Sequence, residues 1–126
     1  MPFNVARINS VIAAAIPERE AVVYGDRRLT YGDIHRRSNQ LANFLLEHGI
    51  TIRAARETLE NWESGQDHVA LYMYNCNEFL EGMLATFKAR AAQFNVNYRY
   101  VAQELEYLLG DAQTAAVVYH GRFADT

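Results

Sequence analysis

The residues able to do chemistry gather at one polar corner, Asn75-Cys76-Asn77-Glu78, which follows an apolar run and opens a stretch of helical periodicity. In an open α/β sheet this corner, at a helix N-terminus, is where backbone N–H groups receive a phosphate. Here Glu78 would itself favour the positive helix end and repel a phosphate, so the corner reads as a self-satisfied cap. The glycines agree: Gly25, Gly32, Gly49, Gly65, Gly82, Gly110 and Gly121 are never closer than seven positions apart, which leaves no GxGxxG and no GxxxxGK phosphate loop. Cys76 could have a lowered pKa at a helix N-terminus, but no histidine or basic residue adjoins it in sequence, and a structural cap is expected. As the single cysteine it excludes an internal disulfide and a multi-cysteine metal site, and it fits a reducing, cytoplasmic compartment.

The remaining candidates are weaker. His35, His48, His68 and His120 form no HxxxH or HExxH pair and are expected as surface or capping side chains. Ser10, Ser38 and Ser64 lack the GxSxG context of a nucleophile. Tyr72, Tyr74, Tyr98, Tyr100, Tyr107 and Tyr119 could build an aromatic platform, although tyrosine in and beside strands is expected to pack. Arg99 is expected to tie its turn to a carboxylate. No catalytic, cofactor-binding or metal-binding residue is therefore assigned to this chain.

Most of these residues lie on elements that the periodicity defines. Val5, Ile8, Ile12 and Ile16 share one face of a first helix stopped by Pro17. Residues 21–24 and 28–30 read as a hairpin turning at Gly25-Asp26-Arg27. Thr30 and Asp33 make a capping box for a helix over 31–48, with Ile34, Leu41 and Leu45 inward and Gly49 at its end. Residues 51–67 are charged and aperiodic, a surface insertion with a possible short helix at 56–62.

A strand at 69–74, a helix whose stripe Phe79, Met83 and Phe87 (with Leu80 and Leu84 beside it) must cover a sheet, and a strand at 91–96 follow. A helix over 101–109 with Leu105, Leu108 and Leu109 inward, closed by Gly110-Asp111, leads to a strand at 115–119. The fold class is α/β: a βαβαβ parallel sheet with crossover helices, preceded by the N-terminal helix and the small hairpin. Residues 1–126 make one partial domain, because three parallel strands with two crossovers leave an edge or a face open.

The net charge of −3, with Arg27-Arg28 and Arg36-Arg37 the only adjacent basic pairs, argues against a nucleic-acid partner. Residues 11–16, the clearest apolar run near the N-terminus, are far short of the roughly twenty residues of a membrane span. Arg7 before that run resembles a weak signal peptide, yet Asn9, Ser10 and Pro17 favour the amphipathic helix.

Three segments in order carry a family likeness. LTYGDIHRRSNQLANFLLEHGI (29–50) resembles the first conserved motif of the adenylate-forming acyl-CoA synthetases. HVALYMYNCNEFLEGMLATFKARAAQFNVNYRY (68–100) is similar to their second, a strand, an Asn-Ser-x-Glu-like corner, a helix running into lysine and small residues, and a strand leading to an Asn-x-Arg turn. ELEYLLGDAQTAAVVY (104–119) is similar to their Glu-Leu-x-x-x-Leu helix and next strand. Arg90 stands where most of the family has glycine, Asn95 and Tyr98 where proline is usual; with the insertion they look like the fatty-acyl or sterol-side-chain branch.

The resemblance implies a parent enzyme that joins a carboxylic acid to AMP with release of pyrophosphate and then transfers the acyl group to coenzyme A. ATP, magnesium and coenzyme A are expected for that full-length enzyme, and none in this chain. The family's Gly-rich loop, ribose-binding acid and C-terminal lysine are not among these residues, so the chain is expected to act as scaffold, with the rest of the synthetase as partner. The competing classes are a stand-alone small-ligand or nucleotide-binding module near Asn75 and Asn97, and a homodimerisation module using an open sheet edge.

Overall fold

The computed structural model describes residues 4–126. Helix α1 (Val5–Ala15) starts at Asn4, whose Oδ1 accepts from Arg7 N at 2.8 Å, and ends ahead of Pro17. Strands β1 (Glu20–Tyr24) and β2 (Arg27–Thr30) pair antiparallel about Gly25, whose φ of +56° suits glycine. Helix α2 (Tyr31–Glu47) carries the expected capping box: Asp33 N donates to Thr30 Oγ1 and Thr30 N to Asp33 Oδ2, each at 3.1 Å. It closes in a Schellman turn, with Gly49 at φ +77° and Ile50 N donating to Leu45 O at 2.9 Å.

Strand β3 (His68–Tyr72) is central in a parallel sheet of order β4-β3-β5, flanked by β4 (Ala92–Asn95) and β5 (Thr114–Tyr119). Its side chains are buried on both faces, which is why it reads as a continuous apolar run. Helix α3 (Asn77–Lys88) covers the Val69, Leu71 and Met73 face, joined by Ala116 and Val118 of β5. Helix α4 (Ala102–Asp111) covers the Ala70 and Tyr72 face through Leu105, Leu108 and Leu109. On that second face Val117 and Tyr119 stay 38% and 52% exposed. The outer edges of β4 and β5 pair with no strand among the described residues. Among the described residues no helix is long and apolar enough to cross a membrane.

Several expectations need correction. Strand β3 stops at Tyr72, two residues short of 74, and β4 is shorter than 91–96, because only the segments in register with β3 hydrogen-bond as strand. Phe79 and Met83 pack on the sheet, but Phe87 does not join that core; it lines a surface cleft with Val5 and Arg90. The deepest α3 side chains are Asn77, Glu81, Leu84, Ala85 and Thr86, because α1 and α2 pack over the helix and bury a second stripe. Gly82 lets the helix approach the sheet: a Cβ there would lie 3.1 Å from Leu71 Cδ2.

Helix α4 runs on to Asp111 through Gly110, and the reversal falls at Gln113, φ +48°, so that Thr114 enters opposite His68. Within residues 51–67 only Arg56–Thr58 is helical, as one 3₁₀ turn. The segment is tied at its base by an Ile52–Gln66 bridge, and Asp67 accepts from Thr51 N at 2.9 Å and Arg53 Nε at 2.8 Å.

Candidate functional site

The polar corner lies where the chain leaves the C-terminal end of β3. Cys76 takes the N-cap position of α3, but its sulfur makes no capping hydrogen bond. Burial, and then the carboxylate of Glu78, push its thiol above the usual range, opposite to the lowered value expected of a helix N-terminus. The corner is not self-capped either. Arg27 reaches over from the hairpin turn, donating from Nη1 to Glu78 Oε1 at 2.7 Å and to Asn77 Oδ1 at 3.4 Å. Burial raises Glu78, but the helix-end N–H, the Cys76 side chain and Arg27 together hold it below the ordinary carboxylate value. Asn77 Nδ2 donates to Glu81 Oε1 at 2.8 Å, and the same oxygen accepts from Arg37 Nε at 2.8 Å. Five side chains from β2, α2 and α3 thus replace the local cap, a network that sequence adjacency could not show.

Beside this corner the hairpin turn and the strand ends enclose a cleft of about 420 Å³, lined by Tyr24, Asp26, Arg27, Tyr74, Cys76 and His120 among others. Its aromatic wall is packed: the Tyr74 ring centroid is 4.9 Å from Tyr98, 5.0 Å from Phe123 and 5.5 Å from His120. Tyr72 stacks on Phe123 at 4.6 Å and is buried, whereas Tyr107 is exposed on α4. The guanidinium of Arg27 is committed to a carboxylate and the thiol of Cys76 holds its proton, so the cleft presents neither a free cation nor a nucleophile from these two groups.

The other candidates scatter. His48 bonds Phe44 O, and His120 Nδ1 accepts from Arg122 N at 3.1 Å, capping a 3₁₀ turn at Gly121–Phe123. His68 lies 2.6 Å from Ala112 O and 2.7 Å from Ser64 Oγ. Among the described residues no three of His, Cys, Asp and Glu gather as a metal site. Arg99 finds no carboxylate; its guanidinium lies 5.7 Å from the Tyr98 ring centroid, while its N–H donates to Asn97 Oδ1 at 3.0 Å and closes the turn locally.

Residues 11–126 match the family described as AMP-binding enzyme. The chain belongs to that family. It is 49% identical over 122 residues to the medium-chain acyl-CoA ligase Mig of Mycobacterium avium, covering 97% of this chain and 22% of that protein. To the 3-oxocholest-4-en-26-oate–CoA ligase of Rhodococcus rhodochrous it is 35% identical over 125 residues, covering 99% of this chain and 20% of that protein. Among solved structures, the N-terminal domain of FACL13 from Mycobacterium tuberculosis superposes with a TM-score of 0.82 at 26% identity, over 98% of this chain and 29% of that one. The chain thus spans about a fifth of the curated relatives' length.

In this member of the family the departure at residue 90 has a visible consequence. Arg90 takes φ +65°, the left-handed conformation that a glycine would adopt without strain. Just before it, Lys88 forms a cluster with His35, Ser38 and Asn39 that no motif announced. Its sequence signals are that Lys88 is the lysine into which the helix of the second family segment runs, and the chain's sole lysine among twelve basic residues. His35 is accordingly no surface side chain: it faces Lys88 across the α2–α3 contact.

Proposed function

We propose that this chain is the N-terminal structural portion of an ATP-dependent fatty-acyl-CoA synthetase, and that it supplies a helix-covered parallel sheet on which later residues assemble the adenylation site. The complete enzyme converts a carboxylic acid and ATP to an acyl-adenylate and pyrophosphate, then passes the acyl group to coenzyme A. The relatives that span nearly the whole of this chain are ligases of medium-chain and steroid-side-chain acids, which supports an apolar acid as substrate.

The observation that carries the scaffold reading is the state of the corner after β3. Arg27, Asn77, Glu78, Glu81 and Arg37 satisfy one another there, and Glu78 puts a negative charge on the helix end that a phosphate would need. These residues do not fit ATP or its magnesium, which together with coenzyme A belong to the remainder of the synthetase. That remainder is the expected partner. The open edges of β4 and β5, with Val117 and Tyr119 beside the latter, offer it strand-pairing surface, and in its absence two copies of this chain could pair there. A cytoplasmic location fits the single unpaired cysteine.

The test is fatty-acid-dependent exchange of pyrophosphate into ATP. The chain alone should give none, whereas a chimera carrying it in place of the matching 122 residues of the Mycobacterium avium ligase should give exchange with medium-chain acids. Exchange by the chain alone, tight calorimetric binding of AMP to it, or a folded but inactive chimera would refute the proposal.

A further inference from the structure

His68 opens β3, at the end of the sheet opposite the polar corner. The 51–67 segment brings Ser64 to one side of its ring, and the end of α4 passes on the other. Nδ1 lies 2.6 Å from Ala112 O, and Nε2 lies 2.7 Å from Ser64 Oγ. A carbonyl only accepts, so Nδ1 carries a proton, and in the neutral imidazole Nε2 keeps its lone pair. Ser64 Oγ accepts from Gln66 N at 3.4 Å, and His68 Nε2 is the one acceptor for its hydroxyl proton among the described residues. Hydroxyl, imidazole and carbonyl thus stand in hydrogen-bond sequence, the order of a nucleophile, its base and the group that orients the base.

A backbone carbonyl orients the ring because the adjacent carboxylate is taken. Asp67 accepts from Arg53 Nη2 at 2.8 Å and from Thr51 N at 2.9 Å. Ala112 is the C-cap of α4, and carbonyls at a helix C-terminus suit a ring that is positive while it holds a transferred proton. Ser64 has no GxSxG elbow because it stands in a loop between a 3₁₀ turn and β3, not at a strand-to-helix turn.

The hydroxyl is open to a substrate. Ser64 is exposed, and with Gly65, Ile52, Ala54, Ala55 and Leu59 it lines a cleft of about 670 Å³. The other lining side chains carry both signs of charge, so the cleft suits a small uncharged molecule. Arg56 braces the loop, donating from Nη1 to Glu60 O at 3.0 Å and Glu63 O at 3.1 Å. Gly65 is fixed beside the nucleophile: its carbonyl accepts from Arg53 N at 2.7 Å and Ala54 N at 3.1 Å, and a Cβ there would lie 2.6 Å from Leu59 Cδ1. Its own N–H finds no backbone acceptor among the described residues. The N–H following a nucleophilic serine is the group that receives the oxyanion in the α/β-hydrolases.

We propose that Ser64 and His68 form a nucleophile–base pair with which this chain hydrolyses small uncharged carboxylic esters through an acyl-serine. Ser64 Oγ attacks the ester carbonyl carbon as His68 Nε2 takes its proton, and the Gly65 N–H receives the developing oxyanion. The bond to the alcohol oxygen breaks, and that oxygen leaves with the proton held by His68. Water then attacks the acyl-serine with the same help from His68, which releases the acid and restores the hydroxyl. The sum is ester and water to acid and alcohol, with no change of oxidation state. The inference does not depend on the proposed ligase activity, since neither ATP nor coenzyme A takes part.

The experiment treats the full chain with p-nitrophenyl acetate, with N-acetyl-serine amide in the same tube as the reference hydroxyl. It follows p-nitrophenol release and, after an acid quench, locates the acetyl group by tandem mass spectrometry, which separates Ser64 from acetylation at Lys88, Cys76 or the α-amine. A positioned base contributes about 10²-fold or more, so Ser64 should be acetylated at least about a hundredfold faster than the reference. Ser64→Ala should remove that adduct and the phenol release that accompanies it. His68→Gln, which can still donate to Ala112 O and accept from Ser64 but is no base, should slow acetylation of Ser64 on the order of a hundredfold. A folded His68→Gln chain that acetylates at the wild-type rate overturns the proposal. So does a wild-type Ser64 that reacts no faster than the reference, and this holds even if a variant fails to fold.

Discussion

The pair Arg37–Glu81 should be strongly asymmetric to mutation. The Glu81 side chain is 8% exposed and that of Arg37 37%, and one carboxylate oxygen of Glu81 accepts from both Arg37 and buried Asn77. Arg37→Met leaves a carboxylate buried with a single neutral donor, and breaking a buried pair in this way costs about 3 kcal/mol, the low end of the usual range because Asn77 still donates. Glu81→Gln keeps an acceptor for both donors and removes the buried charge, while water reaches the freed guanidinium; about 1 kcal/mol is expected. The exposed Arg27–Glu78 pair is the control, since Arg27→Met should cost only about 0.5 kcal/mol. Urea unfolding reads the difference. A loss of about 3 kcal/mol moves the midpoint by roughly 1–3 M for a domain of this size. Helical circular dichroism is the probe to use, because Trp62 is 83% exposed in the 51–67 segment and would report little of the core. If Glu81→Gln costs as much as Arg37→Met, buried charge is not what makes the network asymmetric, and the reasoning fails.

Two further outcomes follow from backbone and charge. Arg90→Gly should stabilise by about 1 kcal/mol by relieving a left-handed φ of +65°, and Gly49→Ala, at φ +77°, should destabilise by about the same amount; equal signs in urea titrations would contradict both assignments. Between pH 8 and about 10.5 the unfolded chain holds a proton on Lys88 that the folded chain has released. Stability therefore rises with pH across that window and has no Lys88 contribution to its slope below it. At this half-buried amine the gain should be about 1 kcal/mol after allowing for solvent. It should be absent from Lys88→Met, so subtracting the two pH profiles isolates it.

Local signals were legible wherever the physics is local. The Thr30–Asp33 box, the Gly49 turn and the Gly25 hairpin involve residues within a few positions of one another, so their chemistry is visible in the string. The run 69–74 announced a strand, and the parallel order followed from its spacing to the next two strands. The three family segments were legible for the same reason, as ordered short patterns.

What stayed hidden was set by contacts across many residues. The cap at Asn77–Glu78 belongs to Arg27, 50 residues earlier, and the partner of Glu81 is Arg37, 44 residues earlier. Periodicity identified one apolar stripe of α3 but not the second, polar one, because a helix packed against a sheet on one side and helices on the other buries two faces, and only an apolar face shows in the pattern. A helix N-terminus could lower the thiol of Cys76, but it rises, since burial and a neighbouring carboxylate outweigh the helix end, and neither burial nor the side chain's direction is written in a dipeptide.

The sequence by itself determined the elements, their order and the family, because propensity, capping and apolar period act between near neighbours. Tertiary structure alone decided which polar groups meet: that Arg27 closes the corner where a phosphate would sit, and that His35, Ser38 and Asn39 of α2 surround the one lysine of the chain. Hydrogen bonding and burial depend on distances of a few ångströms between segments about fifty residues apart, and the packing of α2 on α3 sets those distances.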